Sequence, residues 1–241
     1  MPKIDYGLDA PKILRRLISR AGFMMAFAMV LYFVNRASSS AAVLPLATSL
    51  FSIGLAMAMV AGVMLMSSRV AKRKVRDRIL ESIPWRGDEN VLDVGCGRGL
   101  FLIGAAQRLK KGRATGVDIW ADDLSGNSAE ATLANAKAEG VAGRVKIETA
   151  DARKLPFADS SFDVVLSSLA IHNLHSSQER AKVLGEIARV LKPGGYLAIF
   201  DIFHTAEYAK TLEQLSFEQI QLSPFTLLWC VPTRTLTARK R

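Results

Sequence analysis

The stretch AAVLPLATSLFSIGLAMAMVAGVMLM, Ala41 to Met66, runs 26 residues without a charged side chain. A helix of roughly 20 apolar residues spans the hydrocarbon core of a bilayer, and a helix buried in a globular domain would carry a polar stripe that this run lacks. A second apolar run precedes it, AGFMMAFAMVLYFVN from Ala21 to Asn35, extended by Leu17 and Ile18 if Arg20 snorkels toward the headgroups. The connection RASSS is short, so residues 17–66 are expected to form an antiparallel transmembrane hairpin. Pro45 suits a helix entry, and Gly54, Ala58 and Gly62 recur at a four-residue spacing that permits close helix approach in lipid.

The charges follow the same plan. Of a net +10, residues 1–80 carry 12 Lys/Arg against three Asp, a balance of +9, which leaves +1 for residues 81–241. A basic tract confined to one end fits a membrane surface better than a nucleic acid, which would call for a basic working domain. Lys12, Arg15, Arg16 and Arg20 precede the first run, Arg36 lies between the runs, and Arg69, Lys72, Arg73, Lys74, Arg76 and Arg78 follow the second. The positive-inside rule then puts both ends of the hairpin on the cytoplasmic side. Two other readings stay open: a cleaved signal peptide over residues 12–41, which leaves the second run unexplained, and a first run that re-enters or lies flat. Residues 67–84 read as a basic amphipathic linker helix with Val75, Ile79 and Ile83 on one face, lying near the headgroups or simply solvated, and ended by Pro84.

From residue 85 to 241 strand-like and helix-like stretches alternate. NVLDVG, RATGVDI, RVKIETA, FDVVLSS and YLAIFDI read as strands, with LFLIGAAQRLK, SAEATLANAKAEG and QERAKVLGEIARVL as helices. That alternation implies βαβ units and a parallel sheet. Cys96 and Cys230, with His172, His175 and His204, offer neither a disulfide framework nor a metal-ligand spacing. In VLDVGCGRGLF an apolar strand turns through Gly95, Gly97 and Gly99 into a helix. Glycines there let the backbone turn sharply and admit a ligand closely. The dinucleotide pattern would need glycine at position 100, which is Leu, so a pyrophosphate is not demanded. Asp93, two residues before the first glycine, is placed to meet a cationic group instead.

The loop resembles motif I of the class I S-adenosylmethionine-dependent methyltransferases, and the resemblance extends over about 150 residues, through GVDIW, TADARKLPF, FDVVLSSLAIHNL and LKPGGYLAIFDI. It implies an α/β, Rossmann-like, seven-stranded sheet of order 3-2-1-4-5-7-6 with an antiparallel last strand, FEQIQLS and LWCVPTRTLTARK supplying the last two strands. Pro232 within the last of these implies a bulge or an edge position. By the same resemblance Gly95, Cys96, Gly97 and Gly99 pass the methionine part of S-adenosyl-L-methionine, and Asp93 meets its ammonium. Asp118 takes the ribose diol, Ile119 or Trp120 covers the adenine, Asp151 and Ala152 read its edge, and Ser167 and Ser168 belong to the motif IV lining. Cys96 reads as a small packed residue rather than a redox centre.

His172 and His175 follow the fourth strand, where an imidazole is suited to proton removal from a hydroxyl or enol, although a structural role is equally open to them. The motif spellings are most similar to the quinone and sterol methyltransferase branch. The expected protein is a membrane-anchored methyltransferase acting on a small, lipid-soluble or amphiphilic acceptor at the cytoplasmic face, without nucleic acid or metal. A phospholipid amine N-methyltransferase and a non-catalytic membrane-tethered cofactor-binding module are the alternatives. Residues 1–16 form the cytoplasmic N-terminal segment, and residues 1–11 are expected to fold over the cleft as a lid with Tyr6 as the contact, Pro11 opening a helix behind it.

Overall fold

The computed structural model describes residues 4–8, 10–38, 42–120, 126–228 and 231–241. Residues 1–3, residue 9, the end of the hairpin connection (residues 39–41), residues 121–125 and residues 229–230 lie outside them. The chain divides into two compact units: Leu8–Ala71, and residues up to Gly7 together with Lys72–Arg241.

The first unit is a helical hairpin, α1 (Pro11–Ser38) and α2 (Val43–Met66), followed by a π-helical turn at Ser67–Ala71. Pro11 occupies the first position of α1, where its missing amide hydrogen costs nothing. The helix thus starts six residues before the apolar run and takes in Lys12, Arg15 and Arg16. Both helices are long and apolar enough to cross a membrane by length and composition. Small residues make the seam between them: Ala21, Ala28, Ala47, Gly54 and Ala61 are buried, while Phe23, Phe27, Phe33, Ile53 and Met59 face outward. Of the two spaced glycines only Gly54 is required by packing, because a Cβ there would stand 2.7 Å from Met25 Cγ; Gly62 faces open space.

The second unit opens with α3 (Lys72–Glu81) and continues β1 (Asn90–Val94), α4 (Leu100–Ala106), β2 (Arg113–Asp118), α5 (Ala129–Ala138), β3 (Val145–Thr149) and β4 (Phe162–Ser168). Then come α6 (Ser177–Val190), β5 (Leu191–Asp201), α7 (Thr205–Gln214), β6 (Phe217–Leu222), β7 (Thr226–Leu228) and β8 (Val231–Lys240). The strand order is β3-β2-β1-β4-β5-β8-β6, with β8 antiparallel to both β5 and β6. That is the expected path, with β8 in the seventh strand's place. Among the described residues the count is eight rather than seven, because Thr226–Leu228 folds back on the start of β8. Pro232 pairs across from Leu227 in that short ladder, beyond the last β5 and β6 partners, Arg234 and Leu236, so its missing donor is tolerated.

The central strands β1 and β4 are buried on both faces, as parallel strands between helix layers must be. Local signals set the helix ends: Ser176 and Glu179 form a capping box on α6, and Ser128 caps α5. Helix α3 departs from expectation. Lys72 and Arg76 are buried along with Ile79, Leu80 and Ile83, and a Cβ on Gly104 of α4 would meet Arg76 Cδ at 2.6 Å and Leu80 Cδ1 at 2.8 Å. The alkyl stem of Arg76 packs as apolar surface, so this face lies against α4; Lys74 and Arg78 stay exposed.

Candidate active site

The ligand-binding end of an open α/β sheet lies beyond the carboxyl ends of its strands. Here β1 ends in the glycine loop, and the amides of Gly95 and Cys96 bond back to Val117 O of β2, 2.9 and 3.0 Å away. Gly95, Gly97 and Gly99 take φ values of +72°, +50° and +84°, which L side chains rarely adopt. Their surroundings differ. A Cβ on Gly95 would collide with Ala170 Cβ and one on Gly99 would meet Thr132 Cγ2 at 2.8 Å, whereas at Gly97 the nearest atom is Asn127 Nδ2 at 3.4 Å. The loop is packed tight at Gly95 and Gly99 and looser at Gly97, where a Cβ would make only ordinary contact with Asn127.

Asp93 is fully buried at the end of β1. Oδ2 accepts the Leu102 amide at 2.8 Å, but Oδ1 has no partner among the described residues. Burial, and secondarily the charge of Asp118, push its pKa up to about 7. An unpartnered carboxylate oxygen beside a glycine loop fits a cationic ammonium, directly or through water. Asp118 ends β2 half-buried: Oδ2 accepts the Gly97 amide at 2.8 Å and Oδ1 the Trp120 amide at 3.0 Å. Each oxygen keeps a second lone pair, so the carboxylate orders the loop while remaining able to accept a diol. Ile119 is 61% exposed beside it, and Trp120 Nε1 donates to Thr149 Oγ1 at 2.8 Å, fastening β2 to β3.

The remaining expected residues divide. Ser167 is buried and donates to Val94 O at 2.9 Å, and Ser168 ends β4. The Cys96 thiol is buried; a Cβ on Gly116 of β2 would meet its Sγ at 2.7 Å, and burial raises its pKa well above the usual thiol range. It packs against β2. Asp151 follows β3 next to Ala152, but Arg153 claims both carboxylate oxygens, its Nη2 at 2.7 Å from Oδ2 and its backbone amide at 2.8 Å from Oδ1. That hydrogen-bonded guanidinium holds Asp151 below the usual carboxylate range and also pairs with Glu179. Of the two histidines after β4, His175 is exposed and His172 is engaged.

His172 lies two residues beyond Ala170, the residue that packs on Gly95. Its Nδ1 is 2.5 Å from Asp201 Oδ1, and its backbone amide donates to Oδ2 at 3.1 Å. Asp201, the last residue of β5, has no exposed surface and also accepts the Ile202 amide and the Tyr208 hydroxyl, at 2.9 and 3.2 Å. Phe203, 56% exposed, stands edge-on to the imidazole, ring centres 6.4 Å apart. Sequence reading missed Asp201, although its signal, an acid closing an apolar strand, is the one that singled out Asp93 and Asp118. It also missed α7, which supplies Tyr208.

The sequence pattern of a family described as a methyltransferase domain matches residues 92–199, which run from within β1 to Ile199 of β5, two residues short of Asp201, and include the glycine loop, Asp118 and His172. This stretch of the chain is similar to a methyltransferase domain. The cofactor this domain implies is S-adenosylmethionine, and the unpartnered Asp93 oxygen, the looser packing at Gly97 and the half-buried Asp118 fit it. The chain is 36% identical over 132 residues to the methyltransferase GfsG of Streptomyces halstedii, covering 55% of this chain and 44% of that protein. It is 38% identical over 133 residues to the 27-O-demethylrifamycin SV methyltransferase of Amycolatopsis mediterranei (54% and 45%). Identity to the sterol 4-C-methyltransferase strm-1 of Caenorhabditis elegans is 36% over 141 residues (58% and 39%). The chain thus spans less than half the length of these curated relatives. Among solved structures, a SAM-dependent methyltransferase from Aquifex aeolicus matches with TM-score 0.54 at 20% identity, over 69% of this chain and 89% of that one. The cyclase SpnF matches at 0.59, also at 20% identity, over 72% and 82%. Such likeness shows the fold; a cyclase among the matches illustrates that the fold alone does not fix the reaction.

Proposed function

We propose that this protein is a membrane-anchored S-adenosylmethionine-dependent methyltransferase acting on a small, lipid-soluble or amphiphilic acceptor at the cytoplasmic membrane face. The observation that carries the catalytic part is the His172–Asp201 pair, set beside the glycine loop at the carboxyl edge of the sheet. The two apolar helices and their basic flanks support the membrane part. A relative named for a sterol substrate supports the acceptor class.

S-adenosylmethionine, when bound, would supply an electrophilic methyl on a sulfonium and leave as the neutral thioether as its carbon–sulfur bond breaks. Asp93, the loop from Gly95 to Gly99, and Asp118 with Ile119 and Trp120 would hold it; Asp151 and Ala152, with Ser167 and Ser168, complete the lining. Asp201 accepts at Nδ1 of His172, which assigns the ring proton to Nδ1 and leaves the Nε2 lone pair available. Nε2 would take the proton of the acceptor hydroxyl or enol, and the buried Asp201 carboxylate would stabilise the resulting imidazolium. Holding acceptor and methyl in line supplies much of the remaining rate. His175, exposed in the same segment, is a candidate for the rim of the acceptor site.

Membranes containing the full-length protein, incubated with methyl-labelled S-adenosylmethionine and a total lipid extract, test the reading. Label in the neutral, ring-bearing lipid fraction is expected. Label in aminophospholipids would make it a phospholipid N-methyltransferase, and cofactor binding without transfer would make it a tethered binding module. Protease added to sealed cells should spare both termini; digestion of either overturns the sidedness.

A further inference from the structure

Helix α5 holds the glycine loop from behind. Thr132 Oγ1 donates to Gly97 O at 2.5 Å, and one turn on, Asn135 Nδ2 donates to Arg98 O at 3.0 Å. Asn135, buried, also clasps the N-terminal segment as a paired strand would: Nδ2 donates to Asp5 O at 2.9 Å and Oδ1 accepts the Asp5 amide at 3.0 Å. Asp5 closes the circuit, its Oδ2 2.6 Å from Arg98 Nη1. Residues 6 and 7 are pinned further along. The Tyr6 hydroxyl donates to Glu139 at 3.1 Å, its ring lies under the Arg73 guanidinium at 5.1 Å, and Lys72 Nζ donates to Tyr6 O and Gly7 O at 2.9 and 2.6 Å. Residues 5–7 therefore pack on α5 and α3, and Asp5 is the residue among them that reaches the glycine loop.

We propose that residues 5–7 are a positioning element for the cofactor loop, with Asp5 and Asn135 as its working residues. Arg98 is gripped twice, its carbonyl by Asn135 and its guanidinium by Asp5, between Gly97 and Gly99. Three nearby glycines at positive φ leave the loop many conformations, and ties from outside select the one that aims the Gly97 amide at Asp118. A preorganised loop binds its ligand without first paying to order it. Linkage then demands the reverse effect, a cofactor that tightens the N-terminal segment. The inference rests on the glycine loop being the S-adenosylmethionine site.

Asp5→Lys tests it in the full-length protein held in detergent or nanodiscs. The Asp5 side chain is 62% exposed, so the charge reversal confronts Arg98 without opening the core. The dissociation constant for S-adenosylmethionine should rise about 5- to 20-fold, with kcat at saturating cofactor within twofold and the unfolding temperature unchanged; Asp5→Glu should restore most of the affinity. In the wild-type protein, hydrogen exchange at the Asp5 and Gly7 amides should slow when S-adenosylmethionine is added. Wild-type affinity in the folded Asp5→Lys variant, or exchange indifferent to the cofactor, overturns the proposal alone. A wild-type protein that does not bind S-adenosylmethionine overturns this proposal and the assignment of the site together.

Discussion

His172 and Asp201 meet at 2.5 Å, an imidazole nitrogen against a carboxylate with no exposed surface. Three further donors hold that carboxylate: the His172 and Ile202 amides and the Tyr208 hydroxyl. For an oxygen or enol acceptor, His172→Ala should lower kcat by about 10²- to 10⁴-fold while cofactor affinity stays within twofold. Asp201→Asn should cost a comparable factor, because an amide nitrogen facing Nδ1 would push the ring proton to Nε2. Single-turnover assays and calorimetry on the same preparations separate the two quantities. A His172→Ala enzyme within threefold of wild type would remove the pair from the chemistry.

If the buried Asp93 meets the cofactor ammonium, binding should depend on pH. Its pKa of about 7 lies above the ordinary 3.8, so between about pH 4 and 7 the native state binds more protons than the unfolded chain. Asp93 therefore contributes stability at low pH that is lost as pH rises through 7. A cationic ammonium needs the ionised form, so affinity should move the other way and strengthen about tenfold from pH 6 to pH 8. Calorimetry at the two values checks this. Asp93→Asn should abolish the dependence.

Two glycines of one loop should fail differently. Gly95→Ala would drive a methyl into Ala170, so it should lower the unfolding temperature and leave little folded protein. Gly97→Ala has room for its methyl and bears only the strain of φ +50°, about 1–2 kcal/mol. It should fold and bind S-adenosylmethionine poorly. Thermal melts beside binding curves distinguish the two, and normal binding by Gly97→Ala would mean that the looser side of the loop is not where the ligand lies.

Asp118→Ala removes an acceptor for the Gly97 and Trp120 amides as well as the proposed ribose partner. Loss of hydrogen bonds to a charged group predicts weaker cofactor binding by about 1.5–3 kcal/mol. Deoxy analogues of the cofactor sort the causes: if the ribose contact dominates, they should bind wild type poorly and the variant no worse than S-adenosylmethionine does.

Two inserted apolar helices hold a protein in the bilayer independently of screened charge. Full-length protein should remain in the membrane pellet after carbonate or high-salt washing and move to the supernatant with detergent. Release by salt alone would leave α1 and α2 outside the lipid.

What was legible in the sequence is what is local in the chain. The glycine loop and the strand-ending acids Asp93 and Asp118 stand out because a strand end, a turn and a helix start follow one another within a few residues; the strand order came only with the resemblance to a known family. Asp201 did not, since its meaning depends on parallel pairing that sets Ser168 opposite Phe200 and brings the chain leaving β4 beside the end of β5. Helix α3 misled for another reason. Charge patterning treats Lys72 and Arg76 as outward-facing, yet both are buried: the Arg76 stem fills space against α4, and Lys72 satisfies two carbonyls of the N-terminal segment. The strand Thr226–Leu228 is three residues long, too short for alternation to register.

The Lys72 Nζ contact with Gly7 O, 2.6 Å, means that the chain leaves the catalytic unit and re-enters it at one point. The hairpin is in that sense an excursion in the middle of a folded unit, and trimming the chain up to Lys72 to obtain a soluble enzyme would also discard Asp5 and Tyr6. Splicing is the better cut. Gly7 joined to Lys72 through about three or four glycine and serine residues would span the gap at roughly 3.5 Å per residue and keep both borders of the excision. It would also turn the hairpin into an exchangeable cassette, through which the same domain could be delivered to a different surface.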